Sequence, residues 1–257
     1  MDRPRIYRTE ALVLKGYDYG EADRILSLYT PQAGIVRAIA KGVRRTRSRK
    51  AGHLDLFTRS NLLLARGRQL DVITQAETIE SFQGMREDLW RSSQAHYVAE
   101  LVESFGAEQL ANYPVYALTV ATLRRLASAD RTGLAVRAFE LQLLSMTGYR
   151  PQLHRCLHCD TLIAPQVNRF SPRMGGVLCP DCASVDTAAP PISVAALKLM
   201  RNLQTNENAV LQLTRLDDGV EGEVQRRLQE YIVHRLERLP RSIAVLEKLR
   251  IEGAFQR

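Results

Sequence analysis

The chain has 257 residues, of which 45% are hydrophobic and 25% charged, and a formal net charge of +8. Its length allows two domains or one large one, and its composition is that of an ordinary globular chain. No apolar run approaches the about 18 residues a membrane helix needs, which excludes a helical membrane span, and no membrane partner is expected.

The charge is uneven. Residues 1–80 hold 15 Lys or Arg against 9 Asp or Glu, so +6 of the +8 lies there. Apolar and β-branched runs alternate with turn signals through the same region. A first strand is predicted at 11–15, closed by Gly16-Tyr17-Asp18-Tyr19-Gly20, and a second at 24–30, closed by Pro31-Gln32-Ala33-Gly34. The third spans 35–40. After a long basic loop come a fourth at 57–65, the turn Arg66-Gly67-Arg68 and a fifth at 70–76. Five short strands with one long loop between the third and fourth fit a five-stranded OB-fold barrel over 1–80 better than a sandwich of seven or more strands.

Arg37, Lys41, Arg44, Arg45, Arg47, Arg49 and Lys50 follow one another with no acidic residue between them. Alone, such a run is either a polyanion-binding patch or a solvated loop. In a barrel it lies beside an oligonucleotide-binding face, with Arg66 and Arg68 projecting from a neighbouring hairpin, which favours nucleic acid. Tyr17, Tyr19, Tyr29 and Phe57 are either stacking platforms for bases or ordinary core and rim packing. With so few aromatics, contact is expected to be dominated by phosphates and weakly sequence-selective. About five phosphate contacts on a single strand would give a slope of about −3.5 in log K against log salt.

The period changes after residue 85. Ala95, Val98, Ala99, Val102 and Phe105 mark one helical face, and Asn112-Tyr113-Pro114 restarts the chain with proline in a first turn. Helices are predicted over about 114–127 and 133–147, the latter apolar nearly all round and ended by Gly148 and Pro151. Ser193 is a candidate N-cap for a helix through Leu197, Met200 and Leu203. A longer helix carries Val224, Leu228, Tyr231, Ile232, Leu236 and Leu239 on one stripe. Its opposite face mixes glutamates 221, 223, 230 and 237 with Arg226, Arg227, Arg235 and Arg238, and reads as solvated. Pro240 ends it, and 242–250 form a last helix. Residues 81–257 thus read as an all-α domain with an insert at about 150–190, making the whole an α+β multidomain chain.

That insert carries the only four cysteines, Cys156, Cys159, Cys179 and Cys182, as two C-x-x-C pairs. Paired knuckles of this spacing form a closed four-thiolate zinc site. One structural Zn2+ per chain is expected, with no open position for substrate. Two disulfides or a thioredoxin-like redox pair are the alternatives. The start Met1-Asp2-Arg3-Pro4 lacks an apolar leader and argues for a reducing cytoplasm, and neither pair follows a βαβ pattern. His154 and His158 read as polar loop residues beside a site already filled by sulfur.

No P-loop, dinucleotide fingerprint, H-E-x-x-H or G-x-S-x-G motif occurs, so no catalytic residue is assigned and the chain is read as no enzyme. A nuclease could still be built from Asp18, Glu21, Asp23 and Asp55, although these sit at turns among basic residues, where turn chemistry and ion pairing account for them.

Several stretches together resemble the RecO family of bacterial recombination mediators. They are Ala11-Leu12-Val13-Leu14-Lys15, Gly20-Glu21-Ala22-Asp23-Arg24-Ile25-Leu26, Gly34-Ile35-Val36, Ala40-Lys41-Gly42-Val43-Arg44-Arg45, Arg66-Gly67, Thr74-Gln75-Ala76-Glu77, and the paired cysteines after Gly148-Tyr149-Arg150-Pro151. The match runs in order along most of the chain and is strongest in the first 80 residues and at the cysteines. It implies an OB-fold, a helical domain and a zinc insert, the zinc being scaffolding because some relatives lack the cysteines. It also implies binding to single- and double-stranded DNA, strand annealing, and loading of RecA onto strands coated by single-strand-binding protein. Implied partners are RecR and the acidic tail of single-strand-binding protein, in the cytoplasm and at the nucleoid. By the same resemblance the loop from Lys41 to Lys50 is the family's cationic DNA-contacting region. The rival readings are a DNA-processing enzyme, nuclease or ligase-like, that uses barrel and insert as clamps, and an RNA- or ribosome-associated barrel protein.

Overall fold

The computed structural model describes residues 5–129, 131–205 and 217–251. Residues 1–4, taken above as evidence against a leader, lie outside them. The strands of the first region are β1 (Ile6–Tyr19), β2 (Asp23–Thr30), β3 (Gly34–Ala40), β4 (Arg59–Ala65) and β5 (Asp71–Glu80). They pair in the order β1-β2-β3-β5-β4, and β4 pairs back on β1 to close a barrel. All pairings are antiparallel except β3 with β5, which run parallel at Ala38↔Asp71 and Ile39↔Val72.

Inward positions recur at every second residue. Ala11 and Val13, Leu26 and Leu28, Ala38 and Ala40, Leu62 and Leu64, with Ile73, form one buried cluster. β1 is much longer than the predicted 11–15, and closure explains why. Residues 6–12 pair with β4 while residues 12–19 pair with β2, so one strand serves both edges of the seam. The predicted turn at Gly16–Tyr19 is therefore strand. A register shift between Val13 and Lys15 leaves Leu14 as an extra residue. It switches the strand's parity, so Lys15, Tyr17 and Tyr19 stand on the outer face.

Gly34 is required at the β2–β3 turn. Its φ is +61°, and a Cβ there would stand 2.2 Å from the Leu110 carbonyl oxygen.

Four helices follow: α1 (Gln83–Arg86), α2 (Leu89–Phe105), α3 (Tyr113–Ser128) and α4 (Thr132–Met146). Asp88 caps α2 by accepting from the Arg91 amide at 2.9 Å, and Asn112 caps α3 by accepting from the Val115 amide at 3.2 Å. The chain clusters into two compact units, Met1–Ser128 with Ala244–Arg257, and Ala129–Ile243. Helices α1 to α3 thus group with the barrel, whereas the sequence divided the chain at residue 80.

In the first unit, charged side chains fasten α3 to the outside of the barrel. Arg59 of β4 donates to both carboxylate oxygens of Glu10 on β1, at 2.7 and 3.0 Å, and also reaches Glu80 on β5. Arg124 of α3 donates to Glu80 at 2.8 Å, and the Tyr116 hydroxyl of α3 donates to Glu10. The hydrogen bond from Arg59 holds the Glu10 carboxyl below the usual range, and that from Arg124 does the same for Glu80. Burial and Glu10 together push the Tyr116 hydroxyl up.

The second unit holds α4, the cysteine insert, α5 (Val194–Thr205) and α6 (Asp218–Leu236). A last helix, α7, spans Arg241–Ile251. α4 is buried nearly all round, and it also buries a charged pair that its apolar pattern does not predict, Arg137 with Glu140 at 2.9 Å. The Ser193 hydroxyl caps α5 through the Ala196 amide at 3.1 Å. The insert has a sheet of its own, and the region is not purely helical. Strands β6 (Asn168–Ser171), β7 (Gly176–Leu178) and β8 (Pro191–Ile192) form a small antiparallel sheet. The polar side of α6 is also not merely solvated. Glu223 accepts from the amide and hydroxyl of Ser193, and Arg235 donates to the Pro172 and Arg173 carbonyls at 2.7 and 2.8 Å. Leu239 lies off the buried stripe at 57% exposure.

Glu10 and Glu80 have depressed folded pKa values, so their contribution to stability is present above the ordinary carboxylate range and is lost as pH falls through the folded values. Glu10→Gln should cost about 1–2 kcal/mol at neutral pH by removing charge-assisted hydrogen bonds. Urea unfolding should show the gap between parent and variant shrinking as pH falls below about 4.

Candidate nucleic-acid interface and cysteine cluster

The loop between β3 and β4 is built from buried anchors and exposed cations. Val43 and Leu54 are 4% and 1% exposed and join the barrel's core cluster. Between them, Arg44, Arg45, Arg47 and Arg49 stand in solvent, as does Lys41 just before. The loop's start is pinned to the β1–β2 turn: the Gly42 amide donates to Asp23 Oδ1 at 2.7 Å and the Arg44 amide to the Ala22 carbonyl at 2.9 Å. At its far end the Lys50 ammonium donates to the Ile73 carbonyl at 3.0 Å, and burial pulls its pKa down.

These placements sort the predicted contacts. Lys41, Arg45, Arg47 and Arg49 have no carboxylate partner among the described residues. Arg44 lies 3.3 Å from Asp18, which Arg24 also engages at 3.1 Å, and Lys50 is partly spent on the fold. Arg37, on the outer face of β3, is 66% exposed and pairs with Glu108 at 2.8 Å. Arg66 and Arg68 flank Gly67 in the β4–β5 turn, and Arg66 Cζ lies 4.6 Å from the Tyr7 ring centroid. A Cβ at Gly67 would meet the Leu70 carbonyl oxygen at 1.9 Å, so the turn fixes where the two arginines project.

Two of the four candidate aromatics are core residues. Tyr29 and Phe57 are each 2% exposed; Tyr29 packs 5.8 Å from the Tyr116 ring and Phe57 4.9 Å from the His96 ring. Tyr17 and Tyr19 are exposed, with Lys15 Nζ 4.9 Å from the Tyr17 ring. Beside the Arg66 turn lies a cleft of about 460 Å³, lined in part by Arg8, Gln32, Arg37, Arg68 and Gln69. Arg8, Gln32 and Gln69 were not singled out in the sequence. A lone arginine and scattered glutamines carry no local pattern, and only barrel closure brings them together.

Three of the four acidic residues that could have formed a nuclease site are engaged on other tasks. Asp18 holds arginines, Asp23 holds the Gly42 amide, and Asp55 lies 3.5 Å from Arg86. Among the described residues, the four cysteines are the one group of three or more His, Cys, Asp or Glu side chains gathered closely enough to share a metal.

In the second unit the four Sγ atoms all lie within 4.8 Å of one another, with Cys159 and Cys179 3.8 Å apart. Tetrahedral zinc–sulfur bonds of about 2.3 Å place sulfurs about 3.8 Å apart, so the donor set fits that ion. All four cysteines are free thiols. The first knuckle is shaped by the Asp160 amide, which donates to the Cys156 carbonyl at 3.0 Å, with Asp160 itself at φ +56°. The second opens a short 3-10 turn, Pro180–Asp186, in which the Cys182 amide donates to the Cys179 carbonyl at 3.1 Å. His154 and His158 are exposed and outside the cluster. The insert is held from behind by Arg201, which donates to the Leu153 carbonyl at 2.7 Å, and by Tyr231, which donates to the Tyr149 carbonyl at 2.9 Å.

Two family models match the chain. One, described as Recombination protein O N terminal, covers residues 1–82, and one described as Recombination protein O C terminal covers residues 86–242. Among curated proteins, the DNA repair protein RecO of Roseiflexus sp. is 43% identical over 248 residues, spanning 96% of this chain and 87% of that protein. Its namesake from Desulforudis audaxviator is 42% identical over 249 residues, spanning 96% and 99%. The one from Dehalococcoides mccartyi is 37% identical over 249 residues, spanning 97% and 98%.

Because the Asp23 carboxylate is one of the loop's side-chain tethers to the β1–β2 turn, beside the Arg44 contact with Asp18, Asp23→Ala should loosen the loop without unfolding the barrel. Hydrogen exchange is expected to speed at the Gly42 and Arg44 amides by roughly tenfold, while Leu26 and Leu28 remain protected.

Proposed function

We propose a function from one premise: this chain belongs to the RecO family of DNA repair proteins. It is a recombination mediator that makes and breaks no covalent bond. It binds single- and double-stranded DNA, anneals complementary strands and assists RecA onto strands coated by single-strand-binding protein. Its partners are RecR and the acidic tail of single-strand-binding protein, in the cytoplasm and at the nucleoid.

One observation carries this reading above the others. Lys41, Arg45, Arg47 and Arg49 are exposed and without carboxylate partners among the described residues, on a loop anchored at both ends to the barrel. Cations so placed are free to replace counterions along a phosphate chain, which is the sequence-independent source of nucleic-acid affinity. Annealing asks for the same physics. Two phosphate chains repel until cations between them lower the repulsion, and base pairing then follows without catalysis of any bond.

The strand order, with its single parallel pairing of β3 with β5, supports an OB-fold. In that fold the β2–β3 face and the loops after β1 and β4 take the oligonucleotide. Arg37 stands on that face, the basic loop is tied to the β1–β2 turn, and Arg66 and Arg68 form the β4–β5 turn. These residues, with Arg44 and Lys50 in supporting places, are the assigned DNA contacts.

Cys156, Cys159, Cys179 and Cys182 are assigned to one structural Zn2+, which would cross-link two turns that no covalent bond otherwise joins. The domain reading places DNA binding in residues 1–80 and the metal in the insert at about 150–190 of the helical remainder.

The triple variant Arg45→Glu, Arg47→Glu and Arg49→Glu spares Arg44, whose replacement would disturb Asp18. It should weaken DNA binding by roughly ten- to a hundredfold and flatten the salt slope by about 2. Annealing should fall with it while the circular dichroism spectrum stays unchanged; unaltered affinity would remove the loop from the mechanism. Metal analysis should find about one zinc ion per chain. Cys156→Ser should release it and raise hydrogen exchange across residues 150–191, leaving barrel amides protected, whereas a metal-free native protein would defeat the zinc assignment.

A further inference from the structure

We infer that the cleft beside the β4–β5 turn is a pocket for one unpaired nucleotide of a single strand, an inference that rests on the DNA-binding reading above. The whole cleft lies within the first compact unit. At about 460 Å³ it has the size of a small-ligand site. A base-paired helix is too wide to enter a recess of that size, whereas a base turned out of a stack can fill it.

Three kinds of side chain meet there, and each answers one part of a nucleotide. Arg8, Arg37 and Arg68 supply cations at the rim for its phosphate. Gln32, Gln69 and Gln109 supply primary amides, each with donors and an acceptor. Those groups match the Watson–Crick edge of a base, which is available only when the base is unpaired. The third element is Tyr7 with Arg66 beside its ring, a guanidinium–aromatic pair of the kind on which extruded bases stack.

The walls are held in place before any ligand arrives. The Tyr7 hydroxyl donates to Asp71, the Gly67 amide donates to the same carboxylate at 3.1 Å, and Thr9 donates to Gln32 Oε1 at 3.0 Å. Gln109 is fixed through its backbone amide, which donates to the Ile35 carbonyl at 3.1 Å. The cleft's two carboxylates do not oppose the assignment. Asp71 faces the wall it organises, and Glu108 occupies Arg37 in an exposed pair that a phosphate can replace at little cost.

A division of labour follows. The loop from Lys41 to Lys50 grips backbones of either form, while the cleft recognises an unpaired base and so biases the barrel toward single strands.

Gln32→Ala with Gln69→Ala tests this, since both side chains are exposed and outside the core. Fluorescence anisotropy should show single-strand affinity falling roughly tenfold, with duplex affinity held within about twofold. In the parent protein, irradiation of an oligonucleotide carrying 5-iododeoxyuridine should cross-link to Tyr7, and the cross-link should fade in the variant. Equal loss for strand and duplex, no loss for either, or cross-links at Tyr17 and Tyr19 alone would overturn the cleft assignment. Thymidine 5′-monophosphate should not compete below about a hundredfold excess, because the strand's other contacts raise its effective concentration. Competition at equal concentration would make the ligand a free nucleotide and overturn the strand reading. A parent protein that binds neither DNA form refutes the proposed function itself, and one that binds both equally well with and without the glutamines refutes the cleft alone.

Discussion

Closing five strands into a ring leaves an end that must be covered, and the covering is what puts the cations where they are. After β3 the chain has to reach β4, which lies between β5 and β1, so it crosses the barrel's end through residues 41–58. Val43 and Leu54 drop into the core cluster on the way, with Ala51 and Leu56 packed against it. The segment between such anchors has no interior left to enter. Its arginines face water because the barrel is closed beneath them, and their long stems can extend a further distance from the surface.

The acidic residues of the same unit do the complementary thing. Glu10 and Glu80 bind Arg59 and Arg124, Asp71 binds Tyr7 and the Gly67 amide, and Asp23 binds the Gly42 amide. Glu10, Glu80 and Asp71 are thereby spent on holding helix to strand and turn to strand, away from the loop. At the loop itself Asp18 meets Arg44 and Asp23 meets the Gly42 amide, while Lys41, Arg45, Arg47 and Arg49 have no carboxylate partner among the described residues. A formal excess spread over 80 residues becomes a local field over about ten, and local fields are what steer a polyanion. The resemblance of this pattern to a solvated loop in sequence is real, since only the whereabouts of the acids distinguishes the two.

Period-two and turn signals made β2, β3 and β4 legible to within two residues at each end, and the C-x-x-C pairs marked the cysteine cluster outright. Other features could not be read locally. The length of β1 is set by its having two partners, and the bulge at Leu14 that turns Tyr17 outward depends on register with β2. Tyr29 and Phe57 have the composition of stacking platforms, and it is the helices over the outer barrel wall that bury them. Strands of four, three and two residues are too short to show a period, so β6 to β8 carry no strand signal in the sequence. The polar face of α6 read as solvated because its partners are backbone groups, Pro172, Arg173 and Ser193, which carry no charge signal in a sequence.

Those same backbone partners show why the insert would benefit from a central cross-link. Arg201 and Arg235 grip carbonyls at its edges, and Phe170 packs edge-on against Tyr231 at 5.9 Å, so the rear of the insert is secured by ordinary packing. Its front is two turns joined by a sheet too small to be stable alone. Four sulfurs converge at that weak point and not at the secured edge. An ion there would stabilise the turns against each other at the place where hydrogen bonds and apolar burial are least able to, a scaffolding role by position as well as by donor set. Nothing in that role draws on the barrel's field. On the proposed reading, DNA affinity and metal content are therefore separable, the first resting on how a barrel's end is covered and the second on how a short loop is stiffened.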